Sequence, residues 1–206
     1  FPIQEGARYQ VREVDVEGDL RMPREQLIEK LSTKPKTWFN RSSMAADIKT
    51  LTKIYNNLGY AYVDVEPKSQ VNDKHDFVDI KFKINEGRKV SIERVDIAGN
   101  ERTRGKVIRR AVEVVEGDLY NADRFDGTKK NLEAMDFFEA VRLKTAPGSR
   151  PDLMNVTVEV MEKKTGSLTA GLGYSSQDGA MGNVDLKERN LLGLGIMANA
   201  KANISG

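Results

Sequence analysis

The feature that most limits the fold of this chain is an internal repeat. Residues 82–87 (FKINEG) resemble residues 1–6 (FPIQEG) at a spacing of 81, and the apolar positions that follow continue in phase. Around Gly59 and Asp136 the spacing has fallen to 77, so the second copy is four residues shorter. Because four residues make about one helical turn, this loss keeps the buried face of a helix nearly in phase. The repeat therefore predicts two copies of one small domain in series.

Each copy changes its hydrophobic period in the same order. Alternation predicts a strand, apolar spacings of three and four residues then predict a short and a longer helix, and alternation returns for two more strands. Asn40 suits the N-cap of the longer helix in the first copy, and Gly59 suits its C-terminal stop. The predicted strands are residues 12–17, 60–66 and 78–84, and residues 91–98, 138–145 and 155–161. Since two helices cover only one face of a three-stranded sheet, each copy is predicted to be a two-layer α+β domain.

The domain boundaries follow from where the repeat begins and ends. Residues 6–86 and 87–164 are predicted to be the two domains, with almost no linker between them. Residues 1–5 match the end of a copy and not its beginning, so we expect them to be the end of a preceding domain. Residues 165–206 lie outside the repeat and need a separate interpretation.

This last segment is rich in glycine and alternates between apolar and polar residues. The apolar positions of its first predicted strand are Leu168, Ala170, Leu172 and Tyr174. Three such strands of about ten residues are typical of a transmembrane β-barrel, but a half-buried antiparallel sheet alternates in the same way, so pattern alone leaves both open. Because the smallest bacterial barrels need about eight strands, residues 165–206 cannot close a barrel. In a soluble crystal we expect them to be disordered or paired with a neighbouring chain.

Composition argues against most enzymes and nucleic-acid-binding proteins. The 33 Lys and Arg nearly balance the 31 Asp and Glu, with a formal net charge of +2. The chain has no Cys, and its one His, His75, lies in a charged predicted hairpin loop without metal-ligand spacing. A KH-type RNA module would need a GXXG loop between its helices, and residues 32–40 and 113–121 contain none. We therefore predict that the protein is not an enzyme and uses no cofactor, metal or nucleic acid.

Several segments, taken in order, carry a family resemblance. They are the Glu-Gly pairs at 5–6 and 86–87, the strand ends at 18–19 and 99–100, the tripeptide LGY at 58–60, and the segment ERNLLGLG at 188–195. In this order they resemble the BamA family of outer-membrane β-barrel assembly factors, whose periplasmic part consists of POTRA (polypeptide-transport-associated) domains. The resemblance implies two tandem POTRA domains of order β-α-α-β-β, the second of them membrane-proximal, followed by a truncated antiparallel segment of the barrel. Asp136 departs from the family pattern, which has Gly there.

The resemblance also implies a function. The chain would be the periplasmic portion of an assembly factor that binds unfolded β-barrel precursors by strand pairing and docks accessory lipoproteins. It would act at the outer membrane of a Gram-negative bacterium, and the full-length barrel would contact outer-membrane lipid. The alternative is the POTRA region of a related translocation or secretion pore of the same superfamily.

Three groups of site residues follow from the same resemblance. The second strand of each domain would be the substrate-pairing edge, with residues Tyr60, Ala61, Tyr62, Val63, Asp64, Val65, Phe138, Glu139, Ala140, Val141, Arg142 and Leu143. Arg109, Arg110 and Glu113 would dock a partner, and Leu168, Ala170, Leu172 and Tyr174 would form the strand at the lateral seam of the barrel. A purely structural interpretation stays open for each group. The pairing strands would only complete a core, the docking residues would form a solvated helix face, and the glycines of the seam strand would relieve crowding.

Overall fold

The computed structural model describes residues 8–72, 76–175 and 179–205. These residues form three sheets of three strands each. The chain divides into two compact units, Phe1–Ser91 with Leu119–Ala122, and Ile92–Asp118 with Asp123–Gly206. Residues 1–5, predicted to end a preceding domain, and His75 lie outside the described residues. No helix in the described ranges is both long and apolar enough to cross a membrane.

The first unit has the predicted order of elements. They are β1 (Gln10–Gly18), α1 (Arg24–Glu29), α2 (Arg41–Asn57), β2 (Asp64–Val71) and β3 (Phe77–Asn85). The sheet order is β1-β3-β2, with β1 parallel and β2 antiparallel to the central strand β3. Alternate residues of β3, among them Ile80 and Phe82, are buried in one core with Leu51 and Tyr55 of α2. The period-two pattern of β3 thus reflects one sheet face covered by helices.

The second unit repeats this order and continues into the tail. Its elements are β4 (Ser91–Ala98), α3 (Gly105–Arg109), α4 (Ala122–Ala134), β5 (Phe138–Pro147) and β6 (Leu153–Glu162). The sheet order is β4-β6-β5, so the last strand is again central. Helix α4 has 13 residues where α2 has 17, and the four-residue loss expected from the repeat therefore lies in the longer helix.

The third strands of the two units correspond position by position. A Cβ atom on Gly18 would lie 2.2 Å from the carbonyl oxygen of Ile84, and one on Gly99 would lie 2.0 Å from that of Val160. Gly18 is the last residue of β1 and Gly99 directly follows β4, and both have positive φ, +105° and +82°. Ile84 thus corresponds to Val160, and the third strands align at a spacing of 76.

The predicted start of β2 is wrong. The strand begins at Asp64, so Tyr60, Ala61, Tyr62 and Val63 precede it. Tyr60 is buried beside Tyr55 with ring centroids 6.2 Å apart, and the Val63 N–H donates to the Tyr60 carbonyl at 3.4 Å. The chain must turn after α2 before it reaches the sheet, and anchoring of Tyr60 in the core produces an apolar pattern that resembles a strand. In the second unit β5 begins at Phe138 as predicted and runs to Pro147.

The tail forms the third sheet, in the order β7-β8-β9. Its strands are β7 (Gly166–Ser175), β8 (Gly179–Glu188) and β9 (Ala198–Ser205), with a 3-10 turn at Leu191–Gly193. In this structure the strands pair with one another and Leu172 is 96% exposed. The expectation for a soluble crystal, disorder or pairing with a neighbouring chain, stays a prediction. Each strand pairs antiparallel with its neighbour in sequence, so the sheet needs no distant segment to form.

Replacing Asn40 by alanine is expected to destabilise the first unit by about 1 kcal/mol. The Asn40 side chain accepts a hydrogen bond from the Ser42 backbone N–H at 2.8 Å and thereby caps α2. Asn40→Asp keeps an acceptor at this position and is the matched control. Urea unfolding of both variants measures the difference, and equal midpoints would show that the cap contributes nothing.

Candidate functional sites

The first candidate site is the outer edge of β5. Within the described residues β5 pairs with β6 alone, and the predicted pairing residues Phe138 to Leu143 all lie in this strand. Of the corresponding first-unit residues only Asp64 and Val65 lie in β2, which likewise pairs with β3 alone. An outer strand presents a row of N–H and C=O groups that an extended chain can pair with.

The opposite edge of each sheet is covered by its own chain. In the first unit the Val11 N–H donates to the Thr37 carbonyl at 2.8 Å, and the Lys36 N–H donates to the Val11 carbonyl at 2.7 Å. In the second unit the Ile92 N–H donates to the Asp118 carbonyl at 2.8 Å, and the Gly117 N–H donates to the Ile92 carbonyl at 2.7 Å. Segments between the helices therefore occupy part of β1 and β4, which leaves β2 and β5 as the open edges.

Side chains complete the cover on β4. The Val95 N–H donates to Glu116 Oε1 at 3.0 Å, and Arg109 Nη2 donates to the Val95 carbonyl at 2.9 Å. Arg109 and Glu116 also lie 3.7 Å apart as an ion pair. Such capping is a known means of protecting an edge strand from a second chain.

The two open edges are not equivalent. Pro67 lies in the middle of β2 opposite Phe82, and the register of β2 with β3 runs without a shift. The corresponding residue of β5 is Leu143, opposite Val158. Proline has no N–H and is tolerated within sheets on edge strands, where its nitrogen faces away from the neighbouring strand. The edge of β2 thus lacks a donor at its centre, whereas β5 keeps one. The proline was visible in the sequence, but the strand that holds it was predicted to end at Glu66.

The predicted docking residues separate in the structure. Arg109 and Arg110 line a groove of about 630 Å³ with Val95, Ile97 and Lys106. Glu113 instead faces α4, where its Oε1 accepts from Asn131 Nδ2 at 2.8 Å. The groove combines an aliphatic wall with three basic side chains and one carboxylate, that of Asp96. Its charge is therefore positive on balance, which suits an acidic segment that carries an apolar residue.

The predicted seam residues lie on one side of β7. Leu168 and Tyr174 are 69% and 81% exposed, and Leu172 stands opposite Gly182. On the other side of β7, Thr169 stands opposite Asp185 of β8, which forms an ion pair with Lys201 of β9 at 3.2 Å. The sheet therefore has an apolar face and a polar face, as the alternation predicts.

The Glu-Gly motif at 86–87 has a structural role in the first unit. Arg21 donates to both carboxylate oxygens of Glu86, through Nε at 2.6 Å and through Nη2. The Glu86 N–H donates to Asp19 Oδ2 at 3.2 Å. The motif thus ties the end of β3 to the turn that follows β1.

This ion pair predicts a pH dependence for the first unit. The hydrogen bonds from Arg21 hold the pKa of Glu86 below its usual value. A lowered folded-state pKa contributes stability that is present above the unfolded value of about 4.3 and is lost as the pH falls through the folded value. Glu86→Gln should therefore reduce the stability difference between pH 7 and pH 3, measured by urea unfolding. An unchanged difference would contradict this role.

Two β-α-α-β-β units, each with one covered and one open sheet edge, define a class of modular chains built from small α+β domains, which an antiparallel sheet with one apolar face follows here. The sequence matches the profile of POTRA, described as surface antigen variable number repeat, over residues 9–87 and 90–163. The chain belongs to this family.

Comparison with individual proteins extends the similarity to the tail. The chain is 30% identical to the outer membrane protein assembly factor BamA of Nitratidesulfovibrio vulgaris over its whole length, and 28% identical to that of Neisseria meningitidis over 98% of its length. It spans about a quarter of these relatives, 26% of each.

The fold resembles two solved structures. One is BamA from Haemophilus ducreyi lacking POTRA domains 1–3, with a TM-score of 0.82 and 23% identity over 96% of this chain and 37% of that one. The other is Haemophilus influenzae BamA POTRA3-5, with a TM-score of 0.69 and 23% identity over 75% of this chain and 61% of that one. The α+β fold with two POTRA domains and a barrel segment that does not close is therefore confirmed.

Proposed function

We propose that this chain is the membrane-proximal POTRA region and the first barrel strands of an outer-membrane protein assembly factor. The domains would be residues 6–86 and 87–164 in the periplasm of a Gram-negative bacterium, with residues 165–206 in the outer membrane. The similarity to assembly factors over the whole chain, tail included, supports this assignment. The open edge of β5 is the observation that carries the mechanism.

Strand addition at β5 is the proposed means of binding an unfolded β-barrel precursor. A precursor strand pairs through its backbone, so affinity depends little on side chains, and one edge serves many sequences. Glu116, Arg109 and the segment before α4 occupy the edge of β4. The precursor would therefore pair at the opposite edge of the sheet, that of β5. The seam strand β7, with few large side chains besides Leu168, Leu172 and Tyr174, would receive the precursor next.

The groove beside α3 is the proposed docking site for an accessory lipoprotein. Arg110 and Lys106 supply positive charge next to the aliphatic side chains of Val95 and Ile97, and Arg109, which also pairs with Glu116 at 3.7 Å, adds to it. An acidic segment with an apolar anchor would satisfy both parts of the groove.

Site-specific photocrosslinking in the full-length protein tests the receiving edge. Probes at Thr145 on β5 and Ser69 on β2 occupy corresponding, exposed positions, opposite Val156 and Ile80. During export of a β-barrel protein we expect crosslinks to the precursor from Thr145 and fewer from Ser69. Crosslinks confined to surfaces away from both strands would refute pairing at the edges.

A further inference from the structure

The two units differ in charge at two corresponding positions, one after the longer helix and one after the third strand. By the spacings of 77 and 76, Gly59 and Gly87 of the first unit correspond to Asp136 and Lys163 of the second. Gly59 and Asp136 both follow the longer helix with positive φ, +101° and +59°. The second unit therefore has an acidic residue and a basic residue in place of two glycines, and the basic one, Lys163, lies just before the tail.

Asp136 binds two cations from different parts of the second unit. Its Oδ1 accepts from Lys163 Nζ, and its Oδ2 accepts from Arg189 Nη1. These contacts hold the pKa of Asp136 below its usual value, with the hydrogen bond from Lys163 as the largest cause. A non-glycine residue in the left-handed region carries a steric cost that Gly59 avoids, and Asp and Asn bear it better than most residues. Glycine would meet the backbone requirement of the helix end without this cost. The carboxylate is therefore the group that Asp136 adds at this position.

Arg189 begins the turn that joins β8 to β9, and this turn lies on the loop before α3. Asn190 Nδ2 donates to Thr103 Oγ1 at 2.8 Å, and the Arg104 N–H donates to the Gly193 carbonyl at 3.0 Å. A Cβ on Gly193 would lie 2.0 Å from the carbonyl oxygen of Arg102. The approach is thus close enough to require glycine.

We propose that Asp136 is a positioning residue that, through Arg189, holds the β8–β9 turn against the loop before α3. It thereby fixes the orientation of the tail sheet on the second domain. Asp136 lies two residues before β5, the strand with the open edge. The same carboxylate therefore links the start of β5 to the turn between β8 and β9. The glycines of the first unit have no such turn to hold.

Hydrogen–deuterium exchange on the full-length protein in a lipid bilayer tests this role. Asp136→Asn removes the charge and keeps a residue that tolerates the left-handed region, whereas Asp136→Gly restores the residue of the first unit. In both variants we expect exchange in residues 101–107 and 189–195 to become faster, by up to about fivefold, as the loss of one exposed ion pair allows. Asp152→Asn, which removes the Arg150–Asp152 pair at 3.2 Å, is the matched control and should leave both segments unchanged.

A merely structural role at the helix end predicts a different result. Glycine would then serve at least as well as aspartate, and Asp136→Gly would leave exchange in both segments as in the wild type. Arg189 Nε also donates to the Thr165 carbonyl at 3.5 Å, so Arg189→Gln should accelerate exchange at least as much as Asp136→Asn does. Adding Asp136→Asn to Arg189→Gln should accelerate exchange no further. Unchanged protection in Asp136→Asn, or full additivity of the two changes, would overturn the proposal.

Discussion

Leu143→Pro is expected to reduce photocrosslinking of an unfolded β-barrel precursor at Thr145 by at least about tenfold, since it removes a backbone donor from the centre of the pairing edge and places a ring there. The fold should accept this change, because Pro67 occupies the corresponding position of β2 without shifting the register with β3. Far-ultraviolet circular dichroism and the urea midpoint check that β5 remains paired with β6.

The reverse substitution is the matched counterpart. Pro67→Leu gives β2 the residue that β5 has, so crosslinking from the probe at Ser69 should rise. Wild-type crosslinking at Thr145 in Leu143→Pro would show that the edge of β5 does not receive the precursor. If Leu143→Pro lowers the signal and Pro67→Leu does not raise it, the proline alone cannot explain the difference between the two edges.

Gly99→Val should destabilise the second domain by about 4 kcal/mol or more. Gly99 has a φ of +82°, which a β-branched residue scarcely adopts, and its Cβ would lie 2.0 Å from the backbone oxygen of Val160. Backbone on a central strand cannot move aside as a side chain can, so the end of β4 would separate from β6. Urea unfolding followed by amide exchange in β4 and β6 measures the loss.

Two controls distinguish crowding from the general effect of replacing a glycine. Gly105→Ala adds a Cβ where no atom lies within 4 Å, so it should change stability by about 0.5 kcal/mol or less. In Gly18→Val the new Cβ would lie 2.2 Å from the carbonyl oxygen of Ile84, so this substitution should destabilise the first unit instead of the second. Equal midpoints for Gly99→Val and Gly105→Ala would show that close approach of the backbone is not what requires Gly99.

Most elements were predictable because their signals are local. The period of two in β3 and the cap at Asn40 depend on residues close in sequence, and the structure confirms both. The start of β2 was not predictable in this way, since burial of Tyr60 against Tyr55 produces the same alternation as a strand. Of the docking residues, Arg109 and Arg110 share a groove, whereas Glu113 bonds to α4, and helical spacing alone does not separate these cases.

The amino-acid order alone established a duplicated α+β module and an alternating tail, because periodicity records which side of each element faces a core. Tertiary structure alone decided which strand edges stay open and that Asp136 contacts Arg189. Both depend on contacts between residues far apart in the chain, such as Val95 with Glu116. The order of strands in the sheet determines these contacts, and they leave no periodic signal in the sequence.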